Sequence, residues 1–106
     1  MWNFLKKLAG KENNELATFL KSGAFLVDVR SAAEFKFGSV KGAVNIPLEQ
    51  IVAKAPMLKT KKAIVVFCRS GARSSQAKRM LERSGVTNIV NGGSWQQVQR
   101  NLSVNP

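Results

Sequence analysis

Apolar positions along this chain switch repeatedly between two spacings. Leu16, Phe19 and Leu20 recur at helical intervals after Asn13 and Asn14, either of which can cap a helix that Gly23 ends. Phe25–Val29 (FLVDV) is an apolar run broken only by Asp28 and reads as a buried strand. Ser31 and Glu34 have capping-box spacing, so a short helix is predicted directly after that strand, stopping at Gly38. Ala43–Ile46 reads as a second short strand closed by Pro47, and Leu48–Met57 as a loose helix interrupted by Pro56. Ala63–Phe67 is the strongest strand signal, continuous and apolar, with β-branched Ile64, Val65 and Val66 in succession. A turn over Cys68–Ser74 follows. The next helix runs to Ser84, with Ala77, Met80 and Leu81 inward, Lys78, Arg79, Glu82 and Arg83 toward water, and Gly85 as its stop. Asn88–Asn91 reads as the last strand and Gly92–Gly93 as a turn. Ser94 then caps a final helix with Trp95, Val98 and Leu102 inward. Short apolar strands alternating with helices predict an α/β fold whose central parallel sheet is covered on both faces.

The length of 106 residues fits one domain with a modest core, predicted over residues 13–106 after an extension over residues 1–12. In that extension Trp2, Leu5, Leu8 and Ala9 fall at helical spacing, which makes residues 1–11 a candidate for weak peripheral membrane contact. The longest strongly apolar run, Ala63–Cys68, is too short to span a bilayer. No apolar stretch of signal-peptide length follows the first lysines, so a cytoplasmic protein is expected. The net charge of +11 is uneven: from Met57 onward nine Lys and Arg stand against one acid, Glu82. Such a field favours anionic partners, whether a small anion, a nucleic acid or an acidic protein surface.

The chain has one cysteine and no histidine. An internal disulfide, a cysteine-plus-histidine zinc site and a Cys-His dyad are all excluded. No metal and no cofactor is expected. Cys68 directly follows the strongest strand, where ligands of open parallel sheets bind. Gly71 lets the backbone turn tightly, the unpaired amides of the next helix converge on the turn, and Arg69 and Arg73 add positive charge. The loop Arg69, Ser70, Gly71, Ala72, Arg73 and Ser74 is therefore a candidate anion cradle, and Cys68 a candidate nucleophile of lowered pKa. Two chemistries use such a turn, phosphate-ester hydrolysis and sulfur transfer. The tyrosine-phosphatase motif places five residues between Cys and Arg. Here four separate Cys68 from Arg73, a shorter ring that suits one sulfur atom carried on the thiolate. Asp28, at its strand end, is placed to accept hydrogen bonds from neighbouring amides. Arg30 and Glu34, four residues apart, are expected to pair across the turn, with Asp28 and Arg30 supporting the site near its mouth.

At these positions the chain resembles the rhodanese family. Leu26–Arg30 (LVDVR) with Glu34 and Phe35 is similar to its first signature, and Gly38–Leu48 (GSVKGAVNIPL) to its second. Val65–Ser74 (VVFCRSGARS) resembles its active-site loop, and Val90–Gly93 (VNGG) with Trp95 its closing signature. The resemblance covers residues 14–102 and implies the rhodanese-like three-layer α/β fold. It also implies a sulfurtransferase that moves sulfane sulfur from thiosulfate, or a similar small anionic donor, to a thiol, thiol-protein or cyanide acceptor through a persulfide on Cys68. A persulfide-carrier or regulatory module acting on a protein partner is the alternative. No DNA partner is expected. Family members commonly carry histidine where this chain has Ser39, a departure that touches the second signature and not the nucleophile.

Overall fold

A computed structural model describes residues 14–104. The amphipathic element expected over residues 2–9, the 1–12 extension and the Asn13 cap lie outside the described residues. The chain enters as helix α1 over residues 14–21. It continues as β1 (Phe25–Asp28), α2 (Ala32–Phe37), β2 (Val44–Asn45), two single 3₁₀ turns (Leu48–Gln50 and Val52–Lys54) and α3 (Ala55–Leu58). The remaining elements are β3 (Ile64–Cys68), α4 (Ala72–Arg83), β4 (Ile89–Ser94) and α5 (Trp95–Val104). The four strands form one sheet in the order β2-β1-β3-β4, and every neighbouring pair is parallel.

Side chains of a strand alternate between faces, and β3 shows how that builds two cores. Ile64, Val66 and Cys68 pack with Ile51, Ala55, Leu58, Ala77 and Leu81, so α3 and α4 cover one face. Val65 and Phe67 pack with Leu16, Leu20, Val90 and Val98, so α1 and α5 cover the other. Both faces of β3 are buried, which is why its sequence runs apolar without alternation. The outcome is the expected α/β architecture of three layers. Among the described residues no helix is long and apolar enough to cross a membrane.

Asn14 lies within α1. Three local expectations change. Pro56 does not interrupt a helix over Leu48–Met57. That segment is two 3₁₀ turns, and Pro56 sits in the first turn of α3, where its missing N–H costs nothing. Arg30 does not pair with Glu34, because its guanidinium turns back onto Asp28, 2.8 Å away. Gly92 and Gly93 do not form a turn. β4 continues through them to Ser94, with a register shift opposite Val66 and Phe67, so that Val66 pairs with Asn91 but Phe67 with Gly93. Gly92 is the extra residue of this bulge. A Cβ there would lie 2.7 Å from Val98 Cγ2 and 2.9 Å from Val65 Cγ1, so only glycine lets α5 close onto β3.

Candidate active site

The loop between β3 and α4 lies at the carboxyl end of the central strand. Cys68 ends β3, and its side chain, like those of Ile64 and Val66, points into the α3/α4 face. Gly71 is the N-cap residue of α4 in the left-handed region, at φ 97°. That conformation, which favours glycine, turns the Gly71 amide back to donate to Cys68 Sγ at 3.0 Å. A Cβ at Gly71 would come within 3.4 Å of Gly93 Cα, so loop and bulge lie close together. Ser74, wholly buried in the first turn of α4, sets its Oγ 3.4 Å from Cys68 Sγ.

Cys68 is 1% exposed. Burial pushes its thiol up, since a charged sulfur loses water there. The Ser74 hydroxyl and the amides of Ser74, Ser70 and Gly71 act against burial, and the net result lies below the ordinary thiol value. Hydrogen bonds and the opening of α4 thus favour a thiolate without a neighbouring base.

The two loop arginines are placed differently. Arg69 is exposed. Arg73 is half-buried and makes a bidentate pair with Glu34 of α2, Nη1 to Oε1 at 2.7 Å and Nη2 to Oε2 at 3.0 Å. The Arg73 guanidinium, together with the Ser31 amide, holds the Glu34 carboxyl down at about 2. Glu34 in turn raises Arg73, with smaller help from the charges of Cys68 and Asp28. Glu34 also closes the predicted capping box with Ser31, so one carboxylate caps α2 and fastens it to α4.

Asp28 and Arg30 form a buried pair, 0% and 5% exposed. Asp28 accepts from the Arg30 backbone amide at 2.9 Å, as its position suggested, and from the guanidinium at 2.8–3.0 Å. Ser39 Oγ donates to the same carboxylate at 2.6 Å, so the residue that departs from the family pattern satisfies a buried charge. Arg30 also donates to the Gly38 carbonyl at 2.6 Å and lies over the Trp95 ring, 5.4 Å from its centroid. These contacts tie the ends of β1, α2 and α5 together. Removing one partner strands the other charge at a cost of about 3–5 kcal/mol.

Asn91, by sequence only a strand end, sits beside Gly71 and Ser74 of this loop. Its register partner is Val66, so its side chain shares the face of Cys68. Asn91 Oδ1 accepts from Ser74 Oγ at 2.7 Å and from the Gly93 amide at 3.0 Å, while Nδ2 donates to the Gly71 carbonyl at 3.2 Å. The available signal was a polar residue following apolar Ile89 and Val90. Its partners, 17 and 20 residues away, left no local trace.

A polar cleft of about 390 Å³ opens beside the loop, lined among others by Ser70, Gly71, Ser75, Lys78, Asn91 and Gln97. A larger hollow of about 480 Å³ lies where β1 begins, beside Phe25, Lys61 and Lys62, and touches none of the loop. Hydrogen bonds to the thiol, not hollow size, single out the candidate site. Among the described residues no cluster of three or more Cys, Asp or Glu is arranged to hold a metal ion.

Residues 12–101 match the family model described as the rhodanese-like domain. The Bacillus subtilis protein YqhL, described as uncharacterised, is 38% identical over 68 residues. The match is 64% of this chain and 54% of that protein, so the chain spans about half of its length. The Escherichia coli thiosulfate sulfurtransferase PspE is 31% identical over 74 residues, covering 68% of this chain and 71% of that one. Among solved structures, the human single-domain sulfurtransferase TSTD1 superposes with a TM-score of 0.65 at 30% identity, over 79% of this chain and 88% of its own.

Proposed function

The chain belongs to the rhodanese-like domain family, and from that membership we propose that it is a sulfurtransferase carrying sulfane sulfur on Cys68. The observation that carries the reading is the setting of Cys68 Sγ: the Gly71 amide at 3.0 Å, the Ser74 hydroxyl at 3.4 Å, and a buried thiol nonetheless held below its ordinary value. A thiolate needs no base to attack, which fits a chain without histidine.

Thiosulfate is the donor that suits this loop. The Cys68 thiolate attacks the outer sulfur, a new S–S bond forms, the S–S bond of thiosulfate breaks, and sulfite leaves with the electron pair. Cys68 offers almost no open surface, which favours a slender donor whose reacting atom protrudes. Exposed Arg69 attracts the donor and steadies the departing sulfite, while Arg73 keeps the loop in place through Glu34. The persulfide is an anion one atom longer than the thiolate, and the amides of Arg69 through Ser74 are the groups available to hold it. An acceptor thiolate, or cyanide, then attacks the outer sulfur and returns Cys68 as a thiolate. Asp28 and Arg30 support the corner next to the loop.

Thiocyanate formation from thiosulfate and cyanide tests the reading. Wild type turns over, and Cys68→Ser, a near-isosteric change, shows no turnover with an unchanged circular dichroism spectrum. Turnover by Cys68→Ser overturns the assignment. Sulfur loading on Cys68 without release to cyanide marks the carrier form of the same chemistry, in which the acceptor is a protein thiol.

A further inference from the structure

We propose that Asn91 is a positioning residue that sets how readily Cys68 ionises, by competing with the sulfur for the single proton of the Ser74 hydroxyl. This rests on Cys68 being the reacting thiol.

The hydrogen-bond directions follow from what each group can do. The Gly93 amide only donates and the Gly71 carbonyl only accepts, so the Asn91 atom facing Gly93 is Oδ1 and the atom facing Gly71 is Nδ2. Oδ1 has no hydrogen, so at 2.7 Å the Ser74 hydroxyl donates to it. Ser74 has one proton and has spent it there. The 3.4 Å contact between Cys68 Sγ and Ser74 Oγ is then made by the S–H of the neutral thiol. When the thiol ionises, the sulfur can only accept. The Gly71 amide still donates to it, but Ser74 serves the thiolate only if its hydroxyl turns away from Asn91. Ser74 is buried, and the structure gives its hydroxyl these two acceptors. Each ionisation of Cys68 therefore costs Asn91 one hydrogen bond. Oδ1 keeps the Gly93 amide throughout, so it is not stranded and the exchange stays reversible.

The same side chain holds the loop in place. Its Nδ2 anchors the Gly71 carbonyl, and the Gly71 amide donates to the sulfur. Loss of that anchor alone would loosen the donor and raise the thiol pKa. Loss of the competition lowers it. The two roles move the titration in opposite directions. The charged groups linked to the thiol are Arg73 of α4, which carries Glu34 of α2, the Asp28–Arg30 pair at the end of β1, and Arg69, next in the chain. From β4 and α5 come Asn91, Ser94 and Gln97, none of which titrates. All of these charges are unaltered in the variants below.

The test is a titration of thiolate ultraviolet absorbance. The chain suits it, having one cysteine, no tyrosine and no histidine. Asn91→Ala should raise the thiolate-to-thiol ratio about threefold to tenfold, the worth of one neutral hydrogen bond, moving the midpoint about 0.5 to 1 pH unit lower. Ser74→Ala should move it higher. In the Ser74→Ala background, Asn91→Ala should produce no further fall, because the contested proton is gone. Should Asn91→Ala fail to fold, Asn91→Ser, too short to reach Ser74 in the same way, carries the same expectations. An unchanged or raised midpoint in the Asn91 variant, or an equal fall with and without Ser74, overturns the proposal. The titration reads the thiol directly. A chain that responds as stated but transfers no sulfur overturns the sulfurtransferase reading and leaves the competition standing.

Discussion

At the scale of single residues, the loop divides its work between two arginines of the same charge. Arg69 follows Cys68 and is exposed, while Arg73 is bound to Glu34 across the gap between α4 and α2. Arg69→Ala should therefore raise the KM for thiosulfate about fivefold with little change in kcat, the signature of lost uniform binding worth ~1 kcal/mol. Arg73→Ala should lower the melting temperature by about 2–6 °C, because a partly exposed bidentate pair is worth roughly 0.5–1 kcal/mol in a domain of this size. Steady-state kinetics and calorimetry on both variants check the division, and equal kinetic defects with unchanged melting would contradict it. Cys68, Gly71 and the arginines stood out in the sequence as a candidate site because the loop is continuous in the chain. The partner of Glu34 was not. Helical spacing pointed to Arg30, but the nearby Asp28 carboxylate captures Arg30, which leaves Glu34 for an arginine 39 residues away.

At the scale of elements, α2 buries none of its own residues. It is held instead by its capping box and by the Glu34–Arg73 pair. Because the Glu34 carboxyl is lowered to about 2, the pair's contribution is fully present above the unfolded carboxylate value of about 4.3 and is lost as pH falls through about 2. The stability gap between wild type and Glu34→Gln should therefore be constant from neutral pH to about 5, shrink below about 4 and vanish near 2, as chemical denaturation across that range would read out. A gap that persists at pH 2 would show that Glu34 acts through packing. The β4 bulge makes a second element-level prediction. Gly92→Ala places a methyl 2.7 Å from Val98 and 2.9 Å from Val65, and overpacking of this kind costs about 1–3 kcal/mol. A melting temperature equal to wild type would show that α5 can move away freely. Most of the strand and helix order was readable because β3 is apolar throughout and α1, α4 and α5 each carry a helical period. The bulge was not, since Gly92–Gly93 reads as a turn until α5 is seen packed over it.

At the scale of the whole molecule, the net charge of +11 gathers toward the half of the chain that holds the loop. Fields from exposed charges are screened beyond about 8–10 Å at physiological salt, so kcat/KM for thiosulfate should fall as salt rises. Arg79 and Arg83 are exposed on α4 and Lys78 lines the cleft beside the loop. Replacing all three with Gln should flatten that salt dependence while leaving saturated turnover unchanged. Identical salt slopes in wild type and the triple variant would assign the positive surface to another partner. Steering, loop geometry and the hydrogen bonds around Ser74 all serve one claim, that Cys68 takes a sulfur atom from a small anionic donor. Intact-mass and peptide mass spectrometry after thiosulfate treatment tests that claim most directly. The expected result is a gain of one sulfur atom located on Cys68, removed by cyanide or by a thiol and absent from Cys68→Ser. Wild-type protein that gains no sulfur, or a Cys68→Ser variant that does, would contradict it.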